Sequence, residues 1–169
     1  MTTLEDKALD FARKAHQGQQ RKYTGEPYIN HPVEVAEIVR SVGGSEAMIC
    51  AALLHDVVED CGIAHATIQT RFGREVGELV YWLTDVSKPE DGNRAARKAI
   101  DRQHSAKAPA DAQTIKLADL ISNSFSIIER DPGFAKVYLA EKRLLLEVLT
   151  RGDADLHQRA SEQCRKGEG

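Results

Sequence analysis

Leu53-Leu54-His55-Asp56-Val57-Val58-Glu59-Asp60 joins an apolar run to four polar side chains that suit a metal ion or a proton. It lies in a stretch, Ser45 to Cys61, whose spacing predicts one helix. Ser45 is a natural N-cap, Glu46 sits in the first turn and Gly62 follows the end. Ala47, Ala51, Leu54 and Val58 recur at helical spacing, and Cys50, Leu53 and Val57 widen the apolar face. A helix buried to this degree carries charge at a cost unless the charge is paired or bound to a metal. His55 and Glu59 are four residues apart, as are Asp56 and Asp60, so each pair is expected to stack along one side. His55 and Asp56 themselves diverge by about 100° around the axis. One ion would therefore need ligands from other segments as well. Taken alone, a His-Asp pair is more often a solvated helix end with an incidental histidine.

Toward the N-terminus, His31-Pro32-Val33-Glu34-Val35-Ala36 opens a helix, with Pro32 at the first helical position and His31 at or beside the N-cap. Gly43-Gly44 then turns the chain into the His-Asp helix. Before His31 runs a polar loop, Gln19 to Asn30, punctuated by Gly25 and Pro27 and carrying Arg21 and Lys22. A first helix over Thr3 to Gln17 is capped by Thr3 with Asp6, and His16 near its end reads as a solvated or capping histidine.

Toward the C-terminus, helices are expected over Ala66 to Phe72, Arg74 to Thr84 and Arg94 to Ala106, the last highly charged. The next helix, after Ala108-Pro109, sets Asp119 among apolar residues. Lys116 lies one turn before it and Asn123 one turn after, all on one side. Phe134 to Leu149 follows, with Val137, Leu144, Leu145 and Val148 as its expected core. Gly152-Asp153 caps a last helix over 153–165, and Lys166 to Gly169 reads as a frayed tail. No segment combines strand alternation, β-branched enrichment and hairpin turns. The expectation is an all-α, single-domain bundle of roughly eight or more helices spanning 1–169.

The totals agree with that class. The chain has 169 residues, 41% hydrophobic and 29% charged, enough for one proper core. A net charge of −3 gives no reason to expect nucleic-acid binding, and no apolar run approaches a membrane span. The acidic N-terminus lacks a secretory signal, and three scattered cysteines, Cys50, Cys61 and Cys164, fit a reduced, cytoplasmic chain.

Four candidate ligands thus stand in three different helices: His31, His55 with Asp56, and Asp119. Two imidazoles and two carboxylates suit Mn²⁺, Fe²⁺ or Zn²⁺ better than Mg²⁺ or Ca²⁺, and would leave positions open on an octahedral ion.

Three motifs carry a more specific resemblance. They are Arg21-Lys22-x-x-Gly25-Glu26-Pro27-Tyr28-Ile29-Asn30-His31-Pro32, then Ala51-Ala52-Leu53-Leu54-His55-Asp56-x-Val58-Glu59-Asp60, then Ile115-Lys116-Leu117-Ala118-Asp119-x-x-x-Asn123. Their order is that of the HD-domain metal-dependent phosphohydrolases, and together they resemble the hydrolase domain of the RelA/SpoT homologues, from the first helix to about Leu149. That resemblance implies a free-standing small alarmone hydrolase that removes the 3′-pyrophosphate of (p)ppGpp to leave GDP or GTP. It implies Mn²⁺ held by His31, His55, Asp56 and Asp119, with Glu59 and Asp60 orienting and deprotonating the attacking water. It implies that Arg21, Lys22, Lys116, Asn123 and Tyr138 lie along the nucleotide. Leu120 stands where many relatives carry a basic residue, and Val57 and Cys61 stand where many carry threonine. The same chemistry on adenosine alarmones is therefore an alternative, and a non-catalytic alarmone-binding module a further one. The expected partner is a small-molecule nucleotide, with the oligomeric state open and a homodimer among the options.

Overall fold

The computed structural model describes residues 1–168, and among them every regular element is helical. Among the described residues, the one extended pairing is an isolated antiparallel bridge between Gln20 and Pro27. The all-α expectation holds. The chain divides into two compact units, residues 1–84 and the residues from Asp85 onward.

In the first unit, α1 (Leu4–Ala15) begins at the Thr3–Asp6 capping box, in which each side chain accepts the other residue's backbone N–H. Next come α2 (Asn30–Ser41), α3 (Glu46–Leu54), α4 (Val57–Cys61), α5 (His65–Phe72) and α6 (Arg74–Leu83). Helix α3 is the centre: it packs on α1, α2 and α6, and Met48 through Leu54 are all buried. Its apolar residues run right round the helix because it has neighbours on several sides. Gly44 makes the α2–α3 corner tight, lying directly against Val39.

Two sequence expectations change here. The predicted helix from Ser45 to Cys61 is interrupted, with His55 and Asp56 forming a turn between α3 and α4. Asp56 adopts φ −100° and ψ −5°, and its carbonyl still accepts the Asp60 N–H at 2.9 Å. Asp56 and Asp60 thus share a turn, whereas His55 and Glu59 do not lie on one helix. Helix α2 also starts earlier, at Asn30, because Asn30 and His31 already donate to the carbonyls of Pro27 and Tyr28. His31 is therefore the second helical residue and Pro32 the third, still within the turn whose N–H groups need no helical partner.

The second unit contains a short 3₁₀ turn (Pro89–Asp91) and α7 (Arg94–Ala106), α8 (Ala110–Arg130), α9 (Pro132–Val148) and α10 (Ala154–Glu168). Helix α8 packs on α9 and α10, and α7 packs on α9. Asp131 caps α9 by accepting the Phe134 N–H, and Asp153 caps α10 by accepting that of Leu156. The expected core of α9 is partly wrong: Val137 and Leu144 are 47% and 44% exposed, and the buried face is Ala135, Leu139, Lys142 and Leu146. A lysine inside that stripe hides it from a hydrophobicity pattern. The expected tail is helical through Glu168, and Gly169 lies outside the described residues.

Candidate functional site

In the first unit, the α3–α4 turn brings His55 and Asp56 to His31 at the start of α2. The three offer ligand atoms all within 4.8 Å of one another. Asp56 Oδ2 lies 3.0 Å from His55 Nε2 and 3.7 Å from His31 Nε2. Both histidines are buried. His55 Nδ1 stands 2.6 Å from the Ala52 carbonyl, which can only accept, so Nδ1 carries the hydrogen. On a neutral ring Nε2 then presents a bare lone pair to a carboxylate oxygen. That contact is favourable only with positive charge between the two atoms, from a proton on Nε2 or a metal ion bound by both. An ion bonded at about 2.1 Å holds neighbouring ligand atoms roughly 3 Å apart, close to the 3.0 Å between His55 Nε2 and Asp56 Oδ2. The donor set and its geometry thus fit a transition-metal ion.

Three neighbours of this group had no role at the site in the sequence reading. The Tyr28 hydroxyl donates to Asp56 Oδ2 at 2.6 Å. The rings of His16, Tyr28, His31 and His55 follow in contact, with successive centroids 4.8, 5.7 and 5.3 Å apart. His16, expected to be solvated or capping, is instead 3% exposed, and its Nδ1 lies 2.9 Å from Gln19 Oε1. The Gln19 amide in turn donates to Asp60 Oδ2 at 3.4 Å. Burial and then the charge of Asp56 hold the Asp60 carboxyl above the usual carboxylate range, and the Gln19 donor works against them. Glu59 and Asp60 lie on α4, one turn past the ligand candidates.

In the loop before α2, Arg21 and Lys22 separate. Arg21 pairs with Glu26 at 3.0 Å and reaches Glu34 at 3.8 Å, while Lys22 is exposed over the Tyr23 ring. Gly25, at φ +71°, turns this loop.

In the second unit, one face of α8 carries Lys116, Asp119 and Asn123 as expected. Lys116 Nζ lies 3.5 Å from Asp119 Oδ2, and the Asn123 amide donates to Asp119 Oδ1 at 3.2 Å. These residues and Tyr138 line an open cavity of about 160 Å³ together with Lys98 and Arg102 of α7. Lys142, unassigned by the sequence reading, also borders the cavity.

Residues 8–126 match the family model described as HD domain. A guanosine-3′,5′-bis(diphosphate) 3′-pyrophosphohydrolase named MESH1, from Xenopus tropicalis, is 37% identical over 119 residues, covering 69% of this chain and 65% of that protein. A Synechocystis protein named "Probable guanosine-3′,5′-bis(diphosphate) 3′-pyrophosphohydrolase" is 43% identical over 120 residues, covering 69% of this chain and 16% of the relative. The matches span under a fifth of the length of the first four curated relatives. A solved structure described as a metazoan ortholog of SpoT that hydrolyses ppGpp superposes with a TM-score of 0.87 at 28% identity, covering 98% of this chain and 96% of that one.

Proposed function

Because the chain belongs to the HD domain family, we propose that it is a Mn²⁺-dependent hydrolase of the 3′-pyrophosphate of guanosine alarmones, converting (p)ppGpp and water to GDP or GTP and pyrophosphate. The observation that carries the reading is the convergence of His31, His55 and Asp56 within 4.8 Å, on donor atoms that need a cation between them. The activity of the named relatives supports the substrate class. In this reading Asp119 is the fourth ligand. When bound, the ion lowers the pKa of water and offsets phosphate charge.

The chain's own residues do the rest. Tyr28 holds the Asp56 carboxylate in orientation through its 2.6 Å bond. Asp60, raised by burial and by Asp56, is a carboxylate of more than usual basicity and takes the proton from the attacking water together with Glu59. Lys116 offsets charge on the nucleotide, and Asn123 and Tyr138 bond its sugar and phosphate groups, with Arg21 and Lys22 on the N-terminal loop. These assignments make the 169 residues one functional domain.

Purified, Mn²⁺-loaded protein is to be incubated with ppGpp and with ppApp, and the products separated by ion exchange. GDP plus pyrophosphate from ppGpp is the expected outcome. Cleavage of ppApp alone would move the reading to adenosine alarmones, and orthophosphate as the only product would overturn the reaction type.

A further inference from the structure

Lys142 is 1% exposed, the largest of the fully buried side chains, and it has no role in the reading above. Its ammonium bonds two neutral oxygens, Ser124 Oγ at 2.7 Å and Gln163 Oε1 at 2.8 Å, and no described ion pair includes it. A buried cation without a counter-charge is costly, so its retention calls for an explanation. Three acids of the adjoining cavity are engaged by other groups. Glu141 is held by two bonds from Arg94, and Asp101 accepts from the Val86 and Ser87 backbone and the Ser87 hydroxyl. Asp119 accepts from Asn123 and lies against Lys116.

The surroundings show where the charge is felt. An ammonium only donates, so Ser124 Oγ receives a hydrogen from Lys142 and keeps its own to place elsewhere. The Leu120 carbonyl accepts it at 2.6 Å, and the Tyr138 oxygen lies 3.4 Å away as the second position in reach. Tyr138 is itself 3.4 Å from the Leu120 carbonyl and borders the cavity. When Ser124 turns that hydrogen from Leu120 to Tyr138, the Tyr138 hydroxyl stands at the open end of a row of donors that begins on a buried positive charge. Hydrogen bonds in such a row strengthen one another, and the gain is greatest when the terminal acceptor is an anion.

We propose that Lys142 is a positioning residue for the ligand: acting through Ser124, it makes the Tyr138 hydroxyl a donor to an oxyanion bound in this cavity, without touching the ligand itself. This deepens the alarmone reading and rests on it for the ligand's identity, a phosphate oxygen of the nucleotide.

A mutant cycle with ppGpp tests it. Lys142→Met keeps the length of the side chain and suits its apolar stripe. It is expected to raise KM about five- to tenfold, the loss of one charge-assisted bond, while kcat falls less than twofold. Ser124→Ala, which leaves the lysine in place, is expected to do the same. In a Tyr138→Phe background, Lys142→Met is expected to change KM by less than about 1.5-fold, because the route to the ligand is already cut. An unchanged KM in Lys142→Met overturns the proposal, as does a full-sized Lys142 effect that persists without the Tyr138 hydroxyl. Should the wild type fail to cleave ppGpp, the same cycle is read as Kd for ppGpp and for inorganic pyrophosphate by calorimetry. Binding without cleavage overturns the hydrolase reading, and the Kd cycle then decides the role of Lys142. Binding of neither ligand overturns both.

Discussion

At the scale of single residues, the group formed by His31, His55 and Asp56 depends on a partner whose role the motif containing it does not reveal. Tyr28 lies 28 positions from Asp56 yet donates to its carboxylate at 2.6 Å. Tyr28→Phe keeps the ring contacts with His16 and His31 and removes only that donor. The expected result is a Mn²⁺ affinity about 10- to 100-fold weaker in a direct titration, the usual effect of losing a bond that orients a ligand. Unchanged affinity would mean that packing alone orients Asp56. Glu59→Gln is expected to retain stoichiometric metal but to slow turnover about 10²-fold or more, which places proton acceptance on that side chain. Near-normal turnover would leave the task to Asp60. The ligand candidates were legible because histidine and aspartate beside apolar helix residues are conspicuous. Gln19 and His16 were not, because they acquire their roles through side-chain contacts reaching Asp60 and Cys61 across 41 and 45 positions.

At the scale of elements, helix positions were readable and their exact faces and breaks were not. The turn at His55–Asp56 interrupts a stretch whose spacing is helical throughout, and the bonds His55 makes to Ala52 and Asp56 receives from Tyr28 fall at that turn. The α2–α3 corner imposes its own constraint. A Cβ on Gly44 would overlap Val39 Cγ1 and stand 2.9 Å from the Val39 carbonyl oxygen, an atom that cannot move without moving α2. Gly44→Ala is expected to destabilise the protein by about 1–3 kcal/mol, seen as a lower thermal midpoint. In α9, burial pulls the Lys142 ammonium down to about 8. The unfolded chain holds that proton up to about pH 10.4. Between those values the unfolded state binds more protons, so the lysine's burial penalty is full below pH 8 and is relieved as pH rises through the window. Lys142→Met is expected to raise the midpoint by about 2–6 °C at pH 7, with the advantage shrinking toward pH 10. An equal gain at both pH values would mean that the lysine's charge is not what is costly.

At the scale of the whole molecule, each compact unit has an apolar interior, the first around α3 and the second around α8. A metal that binds only the folded chain must stabilise it by mass action. Removing Mn²⁺ with a chelator is therefore expected to lower the midpoint by roughly 5–10 °C relative to protein with ion at about a hundred times its Kd. A midpoint indifferent to chelation would show that folding and ion binding are uncoupled. The sequence by itself determined the helical class, most helix positions, the caps at Thr3 and Ser45 and the candidate ligands. All of these follow from local propensity, from periodicity and from residue types whose chemistry is plain without neighbours. Only the tertiary structure decided where the His-Asp helix breaks, which face of α9 is buried, and that Tyr28 and Gln19 tend the two aspartates. It alone placed a lone lysine behind Tyr138. These depend on which surfaces meet, and a buried polar group takes its meaning from the partner the fold supplies.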